Sequence, residues 1–313
     1  MIENYKLKVT IMIPTYNQAA FICKAIDSAL AQTYPNLEII VGDDASKDAT
    51  STIAAKINDP RFKYVQNDVN LGRAANYRNL LYNHATGDYV VNLDGDDYYT
   101  DPDFITEAVK LIGYDQNVVI VAARSTQKKH NFELASEIPI YKSANGLEIL
   151  AKLPNAKYLL QHMATLYARK PALDIDFYRS SVISSDWESL FRLSLRGEVK
   201  YLDRIVGVWR IHEKNESGTT NRLKHLENLD IWLAICNEAV GLGMNPIFAK
   251  FVSVKCIAYS AQWSCVKVSK NGNGELLKFI FSVAKAHKLA VLLFICTPKY
   301  LARFLLCIVG YYR

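Results

Sequence analysis

Three carboxylates fall within four residues in the run Leu93-Asp94-Gly95-Asp96-Asp97-Tyr98. They follow Asp88-Tyr89-Val90-Val91-Asn92-Leu93, a stretch that reads as a buried strand, so Asp94, Asp96 and Asp97 stand at its mouth. Carboxylates gathered there call for a cation. Hard oxygen ligands at this spacing suit Mg²⁺ or Mn²⁺, which keep several waters and bridge to a ligand's phosphates. Asp and Gly are also ordinary turn residues, and an acidic turn after a strand is the plain alternative.

The elements that would position such a group repeat along the amino-terminal third. Val9-Thr10-Ile11-Met12-Ile13 is a β-rich apolar run that ends at Pro14-Thr15-Tyr16-Asn17, and a helical pattern follows from Ala19 to Gln32. A second unit comes at once: strand Leu37 to Val41, a polar loop Gly42 to Asp48, and helix Ala49 to Ile57. Strands alternating with helices imply βαβ units and a parallel sheet. Ligands of such sheets bind beyond the carboxyl ends of the strands, so the loops carrying Tyr16, Asp44 and Asp94 to Asp97 are expected at one edge.

Pro14-Thr15-Tyr16-Asn17, Asp43-Asp44-Ala45-Ser46-Lys47-Asp48, Asn70-Leu71-Gly72 with Arg73 and Asn79, and Leu93-Asp94-Gly95-Asp96-Asp97 stand in the order and rough spacing of family 2 glycosyltransferases. The chain resembles that family from about Lys8 to Ser217. The resemblance implies an α/β fold of the GT-A type, with a Rossmann-like nucleotide-binding sheet and a mixed acceptor-binding half, and a nucleotide-sugar donor. Carried over by position, Pro14, Tyr16 and Asn17 form the nucleobase loop, with Tyr16 as a stacking face. Asp44 accepts a hydrogen bond from the base. Gly72 and Arg73 approach the nucleotide, the guanidinium being a planar bidentate partner for phosphate. The outer aspartates of an Asp-x-Asp motif face ribose and metal in this family. Asp94-Gly95-Asp96 fits with Asp94 toward the ribose and Asp96 on the metal, while a shifted alignment puts Asp97 there. No Gly-rich phosphate loop is present, which leaves the phosphates to metal and arginine.

Two later motifs extend the resemblance. Ser185-Asp186-Trp187-Glu188 opens a helical pattern, Trp187 to Arg196, and Asp186 matches the family's base for inverting transfer, with serine where glutamate often stands. Val206 to His212 resembles the strand ending in Arg-x-His, which implies Arg210 on the diphosphate and His212 as a further metal ligand. The polar loop Glu213 to Asn221, with Ser217, has the composition of a lid.

Length and charge fill in the rest. At 313 residues and 50% hydrophobic, the chain can build a substantial core. It divides into a catalytic domain, 1–220, and a helical carboxyl-terminal region, 221–313, beginning with an apolar stripe from Leu223 to Gly243. The six cysteines are scattered without zinc spacing and read as core residues of a reducing compartment. Met1 to Lys6 lacks a signal-peptide apolar run, which points to the cytoplasm. From Leu276 to Arg313 apolar runs alternate with lysine and arginine, and Pro298-Lys299 splits the longest of them. A spanning helix is therefore not expected. An amphipathic pair at an anionic membrane surface is expected instead, a packed hairpin being the alternative.

The +6 formal charge fits an anionic partner, but no nucleic-acid reader motif is present. The expected activity is inverting, metal-dependent sugar transfer from a nucleotide sugar to a glycan or lipid-linked glycan, at the inner face of a bacterial membrane in surface-polysaccharide synthesis. A sugar nucleotidyltransferase and a non-catalytic nucleotide-sugar or membrane-binding module are the competing classes. The triphosphate loop of the former is missing.

Overall fold

The computed structural model describes residues 7–129, 132–135, 143–153, 160–212, 215, 218–296 and 306. Glu213, Lys214, Glu216 and Ser217 of the expected lid, and the tail beyond Cys296 apart from Leu306, lie outside the described residues. The chain divides into two compact units.

The first unit holds ten strands in one sheet: β1 (Val9–Thr15), β2 (Leu37–Asp43), β3 (Phe62–Gln66), β4 (Tyr89–Asn92), β5 (Tyr98–Tyr99), β6 (Val118–Lys129), β7 (Phe132–Ala135), β8 (Ser143–Asn145), β9 (Thr165–Ala168) and β10 (Glu198–Arg210). Their order is β3-β2-β1-β4-β9-β6-β10-β5, with β7 beside β6 and β8 beside β10. Every residue of β1 is buried, because the strand runs parallel between β2 and β4. That is why its sequence is continuously apolar rather than alternating. Four parallel strands make one half of the sheet. Beyond them β9 is antiparallel to both β4 and β6, so the second half is mixed.

Register brings the site loops together. Met12 lies opposite both Ile40 and Asn92, and Thr15 opposite Asp43. The pairing continues past β4, with Leu93 N–H donating to Met12 O (2.8 Å) and Gly95 N–H to Pro14 O (3.1 Å), while Asp44 N–H donates to Thr15 O (2.9 Å). Strand β10 runs parallel to β6, and its Gly207 and Val208 pair antiparallel with Tyr99 and Tyr98. This draws Arg210 to the acidic turn.

Helix Ile22–Leu30 buries Ile22, Ala25, Ile26 and Ala29 at helical spacing. It starts later than the pattern from Ala19 implies: Phe21 and Ile22 N–H donate to Gln18 O (2.8 and 2.9 Å) in a turn ahead of it, and Ala19 N–H donates to the Asp48 carboxylate (2.9 Å). The helix at Asp186 runs Ser185–Ser194, two residues ahead of the sequence pattern at both ends.

In the second unit the stripe expected as one helix from Leu223 to Gly243 is broken. Helices Arg222–Glu227 and Ile231–Gly241 flank a 3₁₀ turn, Asn228–Asp230. Asn228 is a poor helix former, and its side chain bonds to Ser184, accepting from the backbone N–H (2.7 Å) and donating to Oγ (3.2 Å). Helix Pro246–Val268 starts with Asn245 accepting from the N–H groups of Ile247 and Phe248, with Pro246 in its first turn. Helices Asn273–Ala286 and Lys288–Cys296 follow. Cys236, Cys256 and Cys265 are buried, whereas Cys23 is exposed, unlike the core role expected of it. No helix of the described residues is long and apolar enough to cross a membrane.

Candidate active site

The loop after β1 presents Tyr16, 46% exposed, at the sheet edge, with Pro14 buried behind it. Asn17 joins this loop to the one after β2. Its backbone takes a left-handed φ of +52°, which Asn tolerates. Its N–H donates to Ser46 Oγ (2.8 Å), and its Oδ1 accepts from Lys47 N–H (2.8 Å).

Asp44 is buried and organises a third loop. Oδ1 accepts from Asn67 Nδ2 and Leu71 N–H, and Oδ2 from Gly72 N–H, all at 2.8 Å. Gly72, at φ +85°, opens helix Arg73–Asn79 in a conformation that side chains resist. Asn67 also donates to Asn76 Oδ1 (3.0 Å) and accepts from Asn79 (2.9 Å), and Asn76 donates to Gly42 O (2.9 Å). This asparagine lattice fixes the position of Arg73.

The acidic turn packs tightly against the first loop. A Cβ on Gly95 would come within 2.4 Å of Gln18 Oε1 and 2.9 Å of Thr15 Oγ1, so a side chain there requires the Gln18 and Thr15 side chains to shift. Asp94 Oδ1 accepts from Tyr77 OH (2.7 Å) and Asn92 Nδ2 (2.9 Å). Asp96 and Asp97 are buried, and Asp97 Oδ1 accepts from Arg210 N–H (2.8 Å). Burial, together with the charges of Asp96 and Asp94, pushes the Asp97 carboxyl well above the usual carboxylate range, against the pull of Arg210. The Arg210 guanidinium lies 4.6 Å from the Tyr98 ring centroid, which also carries Lys24 Nζ at 3.6 Å.

Arg73 unites two carboxylates. Burial disfavours its charge, but Tyr77, Asp186 and Asp94 outweigh burial and hold the guanidinium firmly protonated. Asp186, on the first turn of its helix, thus shares a cation with the acidic turn. Glu188 on the same turn is buried in ion pairs with Arg179 (2.7 Å) and Arg192 (3.4 Å). His212 belongs to the second unit, where its N–H donates to Asn215 Oδ1 (2.6 Å).

Buried negative charge on oxygen donors suits a hard divalent cation. Among the described residues no three His, Cys, Asp or Glu side chains gather to hold a metal by themselves. Such an ion would complete its shell with water and ligand phosphate, as Mg²⁺ commonly does. Asn67, Tyr77, Asn92, His162 and Tyr178, none of them in the sequence motifs, stand behind these residues. Only Tyr77, one helical turn after Arg73, carried a local signal.

The family model for glycosyl transferase family 2 matches residues 10–172, just over half of the chain. An uncharacterised protein of Mycobacterium tuberculosis is 29% identical over 238 residues, 74% of this chain and 67% of that protein. The Escherichia coli UDP-Glc:alpha-D-GlcNAc-diphosphoundecaprenol beta-1,3-glucosyltransferase WfaP is 44% identical over 91 residues, 29% of this chain and 36% of that protein. The crystal structure of S. aureus TarS 1-349 with UDP-GlcNAc superposes with a TM-score of 0.72 at 17% identity, covering 97% of this chain and 91% of that one. Mannosyltransferase PcManGT from Pyrobaculum calidifontis, with GDP-Man and Mn²⁺, gives 0.60 at 19%, covering 98% and 85%. With its mixed sheet, its carboxyl-terminal helices and this family match, the chain belongs to glycosyl transferase family 2 and is a glycosyltransferase of GT-A fold.

Proposed function

We propose that this enzyme transfers a sugar from a nucleotide-sugar donor, with inversion and with a divalent metal, to a glycan or lipid-linked glycan acceptor in surface-polysaccharide synthesis. The carrying observation is Arg73, which lies in the field of both Asp94 and Asp186 and so ties the donor-side acidic turn to the candidate base. Tyr16 offers its exposed ring to the base, and the loop built on Asn17, Asp44 and Gly72 shapes that subsite. Asp94 turns toward the ribose, and Arg73 and Arg210 bind the diphosphate. A divalent cation held by Asp96, with Asp97 as a further donor, would stabilise charge on the departing nucleoside diphosphate. Asp186 takes the proton of the acceptor hydroxyl, since Glu188 is committed to Arg179 and Arg192. The relatives' names support the pathway, WfaP being a glucosyltransferase that acts on an undecaprenol-linked sugar.

Residues 1–220 form the catalytic domain in this proposal, and 221–313 a region that meets the anionic inner face of the membrane. From Leu242 to Cys296 there are seven lysines against one acid, Glu275, which is itself paired with Arg222 and Lys278. Two helices repeat one outward stripe. Ile247 and Phe251 precede Lys255, whose ammonium lies 4.3 Å from the Phe251 ring, and exposed Leu277 and Phe281 precede Lys285. Exposed aromatics one turn before a lysine suit an interface of acyl chains and phosphates.

The test is turnover against a panel of nucleotide sugars with wild type and Asp186→Asn. Loss of a general base predicts a fall of about 10² to 10⁴ in transfer, with donor affinity nearly unchanged. Normal turnover by the variant would remove Asp186 from the mechanism.

A further inference from the structure

His162 takes no part in the chemistry described so far, yet it stands directly behind the acidic turn. It opens the 3₁₀ turn His162–Ala164 ahead of β9. Its Nε2 lies 2.6 Å from Tyr178 OH, which in turn lies 3.4 Å from Tyr167 OH, and its Nδ1 lies 3.4 Å from Asn92 Nδ2. The Asn92 amide nitrogen also donates to Asp94 Oδ1 at 2.9 Å. That bond fixes the flip of the amide, because the reversed amide would set its oxygen against the Asp94 oxygen. The other Asn92 hydrogen therefore meets Nδ1 as an acceptor, and the imidazole proton sits on Nε2 and is donated to Tyr178. Burial and the nearby Arg73 favour the neutral ring, outweighing Asp186 and Asp94. Tyr77 fills the second lone pair of Asp94 Oδ1 at 2.7 Å, with its ring centroid 5.2 Å from that of His162 and 5.3 Å from that of Tyr178. Oδ1 thus takes two donors from behind, Tyr77 and Asn92.

We propose that His162 is a positioning residue for the donor: held between Tyr178 and Asn92 as the Nε2–H tautomer, it orients the Asn92 amide and thereby sets Asp94 Oδ2 to receive the ribose diol of a nucleoside diphosphate. This rests on the reading that Asp94 faces the ribose. The aromatic cage around the ring supplies the stiffness, and the tautomer supplies the direction.

The test compares binding of UDP and GDP with that of their 2′,3′-dideoxy counterparts, by calorimetry on the full chain. His162→Phe keeps the ring contacts and removes both nitrogens. It is expected to weaken the ribonucleotide about 5- to 20-fold, the loss of roughly one to two net hydrogen bonds, and to leave the dideoxy ligand unchanged. His162→Gln, which retains one acceptor and one donor, should stay within about threefold of wild type. Tyr178→Phe removes the partner of Nε2 without emptying space and should give a smaller loss of the same selectivity, so the proposal remains testable if His162→Phe fails to fold. Equal weakening of both ligands, or a Gln variant as weak as Phe, overturns the positioning role. Asp94→Asn separates the two layers. If it abolishes the ribose preference while His162→Phe and Tyr178→Phe do not, Asp94 faces the ribose and the inference about His162 is wrong. If it leaves the preference intact, the ribose reading itself fails.

Discussion

Replacing Asp44 by Asn keeps the shape of the side chain and removes its charge, at a residue 2% exposed whose two oxygens receive three N–H donors. The amide oxygen can still accept from Asn67 and Leu71. The new NH₂ then faces Gly72 N–H, so two donors confront each other. The lost bond leaves a part-buried donor unsatisfied, at about 1–3 kcal/mol, and the two surviving bonds lose charge assistance worth roughly 1 kcal/mol each. Because the loop can relax toward solvent at Gly72, a net loss of about 2–4 kcal/mol is expected. For a chain of 313 residues that lowers the thermal midpoint by about 3–6 °C. Scanning calorimetry on both proteins reads the midpoint, and titration with UDP and GDP reads the effect on the nucleotide subsite proposed beside Gly72 and Arg73. If Asp44 only contacted the base, ligand affinity would fall and the midpoint would not move. A shift below about 1 °C would therefore refute the view that its carboxylate holds the Asn70-Leu71-Gly72 loop in place.

Three other predictions concern separate parts of the molecule. Asp96→Asn should remove most of the gain in UDP or GDP affinity that Mn²⁺ confers while the protein stays folded, as calorimetry with and without the ion would show; an undiminished gain moves the assignment to Asp97. The full chain should sediment with anionic phosphatidylglycerol vesicles at low salt and not with phosphatidylcholine, and the double variant Phe251→Ser, Phe281→Ser should bind roughly tenfold or more weakly; indifference to lipid charge counts against the membrane surface. His225 is buried, with Nε2 2.9 Å from Thr219 O and Nδ1 3.1 Å from Ser264 Oγ, and burial together with Lys267 lowers its pKa against the Thr219 carbonyl. Below about pH 6.5 the unfolded chain then binds more protons than the folded one, so stability is full above that pH and falls beneath it. Denaturant midpoints from pH 8 to 5 should show this slope, and His225→Gln should make it shallower without abolishing it, since burial also lowers the pKa of His162 and of His84.

The parallel half of the sheet is legible in the sequence because its strands are buried on both faces, so β1 and β2 appear as unbroken apolar runs before loops of Asp, Asn and Ser. The acidic turn is legible for the same reason, as three carboxylates cannot follow a buried strand without consequence. The antiparallel β9 is harder to read, since Thr165 to Ala168 is short and its partners lie more than forty residues away in sequence. The break at Asn228 depends on Ser184, a contact that no periodicity in the stripe announces. Asp44 reads as a ligand acceptor, and its three internal donors emerge only when Asn67, Leu71 and Gly72 fold around it. The cluster of Tyr77, Asn92, His162 and Tyr178 is assembled from four distant segments with no common spacing.

The most direct measurement of the central claim needs no acceptor. With water in place of the acceptor hydroxyl the donor is hydrolysed, and proton NMR of the first-formed sugar reports its anomeric configuration before mutarotation. An α-linked nucleotide sugar should release the β-anomer, and Asp186→Asn should suppress that release. Initial α-sugar, or unchanged release by the variant, would contradict inverting transfer with Asp186 as the base.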